Sequence, residues 1–418
     1  MSLNTQPYKG ARDFYPEDKR LQKYMFGKLR QVVESFGYQE YDAPILESFE
    51  IYAAKSGEEI VNEQLYSFED KGGRKVAIRP EMTPTVSRMV AGRRQELAYP
   101  LRWYSIPNLW RYERPQRGRL REHWQLNVDI FGVETIEADY EIINVADKVL
   151  KAFGATPAMY QIRINSRVAT DKSLNDMGLN AKQKAAAMHL IDKVSKMEAG
   201  AFKAALQEAV GKEKAEQVST WLNSPLDPPA DVKSLLSMLS LAGVSNAVYD
   251  RSVMRGFDYY TDIVFEVYDT NPENNRSMFG GGRYDGLVGL FGVDPVPTVG
   301  FGMGDVTLQN FLDSHNLLPE LKPETDAIVI LIGDVFKDAQ PVIRTLRDKG
   351  VNLAVDFSGR KMDMQLKHAV KSGTRYALFI GEEELSTGKY KLRDLAKGEE
   401  QQLSLEHVIE TLSVAKSI

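Results

Sequence analysis

The chain has 418 residues, a formal net charge of −5 and no cysteine, a length that implies two or three domains and a composition that excludes disulfides and thiolate zinc sites. Its five histidines, His123, His189, His315, His368 and His407, stand too far apart for a paired-histidine metal motif, so the sequence assigns no metal ligand. The negative balance argues against a polybasic nucleic-acid binder and leaves room only for local contacts.

Residues 17 to 36 place Leu21, Met25, Leu29, Val32, Val33 and Phe36 at helical spacing, and Gly37 closes the run. The opening MSLNTQPYKGARDFYPEDK has no basic end leading into an apolar core, and no later stretch has the apolar length of a membrane span. A soluble, cytoplasmic protein is expected. Strand-like segments then recur to about residue 135: KVAIRPE, LRWYSIPNLWRYE and EHWQLNVDIFGVE, with KGGR at 71 to 74 as a hairpin turn. They suggest an antiparallel sheet.

Residues 137 to 153 return to a helical pattern, and about 167 to 243, rich in Ala, Lys, Glu and Leu, reads as a helical insertion. Strand signals resume in DYYTDIVFEVY and PTVGFGMGD, so the first sheet is completed after the insertion. Past the proline-bearing linker LLPELKPETD, strand and helix alternate through AIVILIG, AQPVIRTLRDKG, VNLAVDF, MDMQLKHAVKSG and YALFIG, the pattern of a small α/β domain with a mostly parallel sheet.

Chemistry concentrates around RYERPQRGRLR, where Arg111, Arg114, Arg117, Arg119 and Arg121 crowd into eleven residues with only Glu113 among them and Glu122 following. A solvated hairpin or a phosphate-binding one fits that run; Pro115 and Gly118 suit its turn. In the next strand His123, Gln125, Asn127 and Asp129 alternate with Trp124, Leu126, Val128 and Ile130. The polar row is either a wet sheet surface or the floor of a polar pocket. AIRPEMTP puts Glu81 and Thr83 on one side of an extended chain, and MRGFDYYTD adds Arg255, Asp258 and Tyr260. Gly280 to Gly282 either let backbone approach a ligand or form a loop.

Taken in order, KGARDFYPED, GYQEYDAPILE, AIRPEMTP, WRYERPQRGRLREHWQ, MRGFDYYTDIVFEVY and GGGRYDGL resemble the histidyl-tRNA synthetases over nearly the whole chain. The resemblance implies an α+β catalytic domain with an antiparallel sheet flanked by helices over 1–166 and 244–320. It also implies a helical insertion over 167–243 and a C-terminal α/β anticodon-binding-type domain over 326–418. It implies a histidine–tRNA ligase acting on ATP, L-histidine and tRNA(His), with Mg²⁺ accompanying ATP, and a homodimer paired through GYQEYDAPILE.

By position, the resemblance implies that Arg111 and Arg255 are catalytic cations on the α-phosphate, and that Glu113 and His123 hold the adenine end. It implies Glu81, Thr83 and Gln125 around the α-amino group, Asp129, Tyr260 and Tyr284 around the imidazole, and Arg114, Gln116 and Arg121 towards the tRNA acceptor end. The sequence departs from the family pattern at three places: Thr307 stands where an ATP-gripping arginine is usual, His123 where a phenylalanine stacks on adenine, and Asp129 where a glutamate is frequent. These departures keep two rivals in view, a catalytically silent regulatory paralogue attached to ATP phosphoribosyltransferase and a noncatalytic RNA-binding protein.

Overall fold

A computed structural model describes residues 3–54, 60–194, 197–255, 259–274 and 276–414. The chain divides into two compact units, Met1–Asp13 with Lys23–Leu318, and Phe14–Gln22 with Pro319–Ile418. Helix α1 (Pro16–Ser35) follows the apolar spacing and buries Met25, Leu29 and Val33 in the first unit. Gly37, at φ +82°, turns the chain out of it, a conformation costly for any residue with a Cβ.

The first unit continues with β1 (Gln39–Glu40), β2 (Leu46–Ser48), α2 (Phe49–Ala53), β3 (Ser67–Glu69), β4 (Lys75–Ile78), α3 (Thr83–Gly92), β5 (Leu101–Ser105), β6 (Asn108–Trp110) and β7 (Glu122–Phe131). After α4 (Ile136–Ala152) and β8 (Tyr160–Ser166) comes a helical run, α5 (Arg167–Asp176), α6 (Ala181–Asp192), α7 (Ala199–Val210), α8 (Lys212–Asn223) and α9 (Ala230–Leu241). It ends with β9 (Ala247–Tyr249), β10 (Ile263–Asp269), β11 (Ser277–Arg283), β12 (Thr298–Gly304) and α10 (Asp305–Ser314).

Among the described residues, nine strands make one sheet in the order β1-β5-β7-β12-β11-β10-β8-β9, with β6 paired to β7 beside that line. From β5 to β8 every pairing is antiparallel, as the sequence suggests, but the two edges, β1 with β5 and β8 with β9, are parallel. Parallel pairing needs a long crossover, and the helical run between β8 and β9 supplies one. The segment KVAIRPE departs from expectation. Its strand β4 lies in a separate three-stranded sheet, β2-β4-β3, with KGGR as the β3–β4 turn.

Within the helical run, α5 to α8 bury Leu174, Ala187, Ile191, Phe202, Leu206 and Val218 against one another. Helix α9 instead packs on α4, β8 and β9. The end of β11 is tied to the start of α4 by Arg283, which donates to Val133 O (2.9 Å) and Thr135 O (3.1 Å) and pairs with Asp139. Removing either partner of such a buried pair would strand a charge, at a cost of about 3–5 kcal/mol.

The second unit holds β13 (Ala327–Ile332), α11 (Phe336–Asp348), β14 (Leu353–Asp356), α12 (Met362–Lys371), β15 (Tyr376–Gly381), α13 (Glu382–Thr387), β16 (Lys389–Asp394), β17 (Glu399–Ser404) and α14 (Leu405–Val414). Its sheet runs β14-β13-β15-β16-β17. The runs AIVILI and YALFIG are continuous because β13 and β15 are covered on both faces, each buried aliphatic side chain contributing about 1.5–3 kcal/mol. The expected mostly parallel sheet is only half parallel, since β15–β16 and β16–β17 are antiparallel. Charged residues hide this hairpin in the sequence, although Tyr390 and Leu392 reach the core.

Candidate active site

Strand register builds the floor of a polar pocket in the first unit. Asp129 lies opposite Gly300, Asn127 opposite Gly302 and Gln125 opposite Gly304; β11 sets Gly282 opposite Gly300 and Gly280 opposite Gly302. Directly opposed residues share a face, so the polar row of β7 continues into a patch of glycine. FGGGRYDG is thus a strand followed by a turn. Each bare position lies beneath a candidate side chain. A Cβ would stand 2.1 Å from Asp129 Oδ1 at Gly300, 2.5 Å from Gln125 Nε2 at Gly302, 2.8 Å from Arg255 Nη1 at Gly280 and 3.0 Å from Tyr260 Cδ1 at Gly282. Glycine therefore lets Asp129, Gln125, Arg255 and Tyr260 lie close over the backbone.

At one end of this floor Asp129 is buried, and Tyr284 donates to its Oδ1. Burial pushes the Asp129 carboxyl up to about 7, with the Tyr284 hydrogen bond pulling the other way. Tyr284 stays protonated and a donor because burial, and then the Asp129 charge, raise its phenol well above the ordinary value. Tyr259, which the sequence did not single out, links the walls. Its hydroxyl donates to Glu81 Oε2 at 3.3 Å, and its ring centroid lies 4.8 Å from that of Tyr260 and 5.7 Å from that of Tyr284. Its phenol is raised by burial first, then by the charges of Glu81 and Tyr260, while the Thr83 side chain pulls against them. Glu81 and Thr83 thus meet as expected, but on a turn entering α3 and not on an extended chain.

Arg255 adopts φ +60°, a strained conformation for a side-chain-bearing residue. Its Nη1 pairs with Glu266 Oε1 at 3.1 Å and its Nη2 donates to Gly280 O at 3.3 Å. Glu266 is in turn bound by the Tyr268 hydroxyl at 2.5 Å. Sequence reasoning missed Glu266; its signal was a lone carboxylate inside the apolar run IVFEVY. Asp258 lies outside the described residues.

The arginine-rich segment is a hairpin, with Gln116 bridged to Arg119 and Gly118 at φ +77°. Its guanidiniums divide by role. Arg111 Nε donates to Pro80 O at 2.9 Å, and its terminal nitrogens make no hydrogen bond or ion pair among the described residues. Arg114 and Gln116 are exposed. Arg119 pairs with Glu113 at 3.4 Å, and Arg117 with Glu273 at 3.4 Å. The reading of five unneutralised arginines is therefore too generous, because Glu273 arrives from a distant part of the chain. Arg121 also departs from its expected place at the acceptor end. It is 8% exposed, its Nη1 donates to Tyr8 Oη at 2.9 Å, its Nε to Glu113 O at 3.2 Å, and it lies 3.9 Å from the Tyr112 ring centroid. Stacked between tyrosines, it anchors the hairpin.

His123 begins the polar row. Its pKa is held down to about 3 by burial, then by the charges of Arg111 and Arg12, so the imidazole is neutral and offers an uncharged planar face. Arg12, also missed, pairs with Asp305 at the start of α10 at 2.7 Å, while the Trp124 amide donates to Asp305 at 2.9 Å. Thr307 uses its hydroxyl on Met278 O (2.9 Å) and Gly304 O (3.0 Å).

A model of the histidyl-tRNA synthetase family matches residues 10–306, and a model of the anticodon binding domain matches residues 326–414. The chain belongs to the histidyl-tRNA synthetase family. Among curated relatives, a histidine–tRNA ligase of Leptospira biflexa is 44% identical over 410 residues, covering 94% of each chain. One from Thermoplasma volcanium is 37% identical over 433 residues, covering 99% of this chain and 100% of the relative. A solved histidyl-tRNA synthetase from a Nostoc species has the same fold, with a TM-score of 0.82 at 22% identity over 99% of this chain and 100% of its own. So does a Bacillus halodurans protein described as an ATP phosphoribosyltransferase regulatory subunit/histidyl-tRNA synthetase, with a TM-score of 0.73 at 22% identity over 91% of this chain and 100% of its own. These two structures speak to the fold alone, since one fold can host different roles.

Proposed function

We propose that the chain is a histidine–tRNA ligase. A histidine carboxylate oxygen attacks the α-phosphorus of MgATP, the bond to the β-phosphate breaks, and pyrophosphate leaves. The terminal ribose hydroxyl of tRNA(His) then attacks the histidyl carbonyl and displaces AMP. The observation that carries this reading is the glycine floor, which seats Arg255 at one place and the buried Asp129–Tyr284 pair at another. A cation belongs where two anions must meet, and a hydrogen-bonding carboxylate belongs where an imidazole N–H must be recognised.

In this reading Arg111 and Arg255 hold the α-phosphate, and Glu113 and neutral His123 take the adenine. Glu81, Thr83 and Gln125 bind the α-amino group; Asp129, Tyr260 and Tyr284 read the imidazole. Mg²⁺ would enter with ATP and would supply compensating charge for the phosphates. Arg12, fixed by Asp305, brings a further cation to the helix start where Thr307 offers none. Exposed Arg114 and Gln116 face the acceptor end of tRNA, and residues 326–418 bind its anticodon. Residues 1–166 with 244–320 form the catalytic domain, and 167–243 the insertion. No described helix is long and apolar enough to cross a membrane; a cytoplasmic homodimer suits the family.

The silent-paralogue reading draws on Thr307, but Arg255, the glycine floor and relatives matching across both family regions favour the ligase. ATP–pyrophosphate exchange with each of the twenty amino acids supplied singly tests the choice. Exchange with histidine alone is expected; a folded protein that exchanges with none would make it the silent paralogue.

A further inference from the structure

Behind Asp129, towards the β1 edge, lie two buried hydroxyls that nothing above uses. Tyr41 extends the β1–β5 pairing, its amide donating to Tyr104 O at 2.8 Å, which sets it beside Ser105. Ser105 lies opposite Asn127, and Trp103 opposite Asp129, so Ser105, Tyr41 and Asp129 share the site face of the sheet. The Tyr41 and Trp103 ring centroids are 5.8 Å apart. The Tyr41 hydroxyl and Ser105 Oγ are both shut off from solvent, and neither makes a hydrogen bond of full geometry among the described residues, although the Ser105 side chain acts on the Tyr41 oxygen. Two such groups side by side are costly unless a bound state satisfies them.

We infer that Ser105 and Tyr41 are positioning residues for Asp129: the Ser105 hydroxyl donates to the Tyr41 oxygen, and the Tyr41 hydroxyl donates to the Asp129 carboxylate when histidine is bound. This rests on the ligase reading of the pocket. Asp129 Oδ1 already accepts from Tyr284, and Oδ2 makes no hydrogen bond among the described residues. A carboxylate oxygen accepts two donors, so Oδ2 takes Tyr41 on one side and an imidazole N–H on the other. The relay holds the carboxylate in its ionised form, which burial alone disfavours.

The charged surroundings are consistent with this direction of donation. The Tyr41 phenol is raised well above its ordinary value by burial and then by Asp129, with Ser105 and Arg79 pulling against them and Asp42 adding to them. Tyr41 therefore keeps its proton and can donate. Tyr284 also faces the Asp129 charge and stays protonated, burial first, while Tyr38 is raised by burial and then by Glu141, with Asp129 the smallest contributor. Arg79 donates hydrogen bonds to Asp42 at 3.2 Å and to Ala43 O at 2.6 Å, and its charge reaches Tyr41 only through space.

Calorimetric titration of full-length protein with L-histidine, without ATP, across pH 5.5 to 9 reads the relay directly. Wild-type affinity should fall as pH drops, through protonation of Asp129 and of the ligand's own imidazole, and Asp129→Asn should leave only the ligand's part. Tyr41→Phe should move the Asp129 transition to higher pH and weaken histidine at pH 8 by about tenfold, as for one hydrogen bond to a charged group, while the KM for ATP stays as in wild type. Ser105→Ala should give the same displacement in smaller measure, and it carries the test if Tyr41→Phe does not fold. A folded Tyr41→Phe, or in its place Ser105→Ala, with wild-type affinity and transition overturns the assignment and leaves the ligase reading standing. Wild-type protein that binds no histidine at any pH overturns both.

Discussion

His123 and Asp129 stand on one face of one strand and are both pushed towards their neutral forms, with opposite consequences for acid stability. An unfolded histidine takes up its proton near pH 6.5, whereas folded His123 resists until about 3. Between those values the unfolded chain holds more protons, so this residue makes stability fall as pH drops from 6.5. For Asp129 the folded carboxyl keeps its proton up to about 7 while the unfolded one loses it near 3.8, so its contribution falls as pH rises through that window and is constant above it. His123→Phe should therefore lose less stability than wild type between pH 6.5 and 4.5, read as urea midpoints. Parallel curves would mean that the imidazole is not held neutral in the fold. The polar row itself was legible, because alternation along a single strand needs only local spacing. Glu266, Tyr41, Ser105 and Arg12 were not, since each gains its role from a partner brought by the register of another strand or loop.

Among the elements, β11 and β12 are unusual in placing glycine where central strands normally carry side chains, which weakens them locally. What they gain is clearance over the backbone. At Gly300 a Cβ would meet Asp129 Oδ1 at 2.1 Å and Val128 O at 2.7 Å, and the second is backbone that cannot swing aside. Gly300→Ala should cost about 1–3 kcal/mol of stability and displace the carboxylate, lowering both the melting temperature and histidine affinity. Gly27, exposed inside α1 with nothing within 4 Å of its would-be Cβ, provides the contrast: Gly27→Ala should stabilise by about 0.5–1 kcal/mol. If the two substitutions had equal effects on melting temperature, crowding at the floor would not be the cause. Helices α1 and α4 were legible because their apolar period repeats over several turns, whereas the shorter α3, α10 and α14 were not singled out. The separate β2-β4-β3 sheet and the β16–β17 hairpin escaped because short strands carry no mark of which sheet receives them.

At the scale of the whole molecule, the proposed two-fold pairing has a physical motive in the first unit. Ile45 and Leu46 are 46% and 44% exposed, and Phe68, on β3 across β4 from β2, is 47% exposed. Ile45 and Leu46 belong to the segment that the family resemblance assigns to dimer formation, and exposed apolar residues there suit a partner surface. Leu46→Glu should turn a dimer into a monomer by light scattering at micromolar concentration, with a fall in pyrophosphate exchange. A variant that remains dimeric would place the interface elsewhere.

The pocket floor joins β7 to β12 across the whole helical run, so that Asp129 and its supporting Gly300 are separated by most of the first unit's sequence. During synthesis the arginine hairpin and the polar strand leave the ribosome long before the glycine strands that finish the pocket. A nascent or prematurely ended chain therefore carries the arginine hairpin without the glycine strands that complete the proposed histidine pocket. On the proposed function, such a chain would hold cations without a substrate pocket, and activity would wait for β11 and β12 to close the sheet.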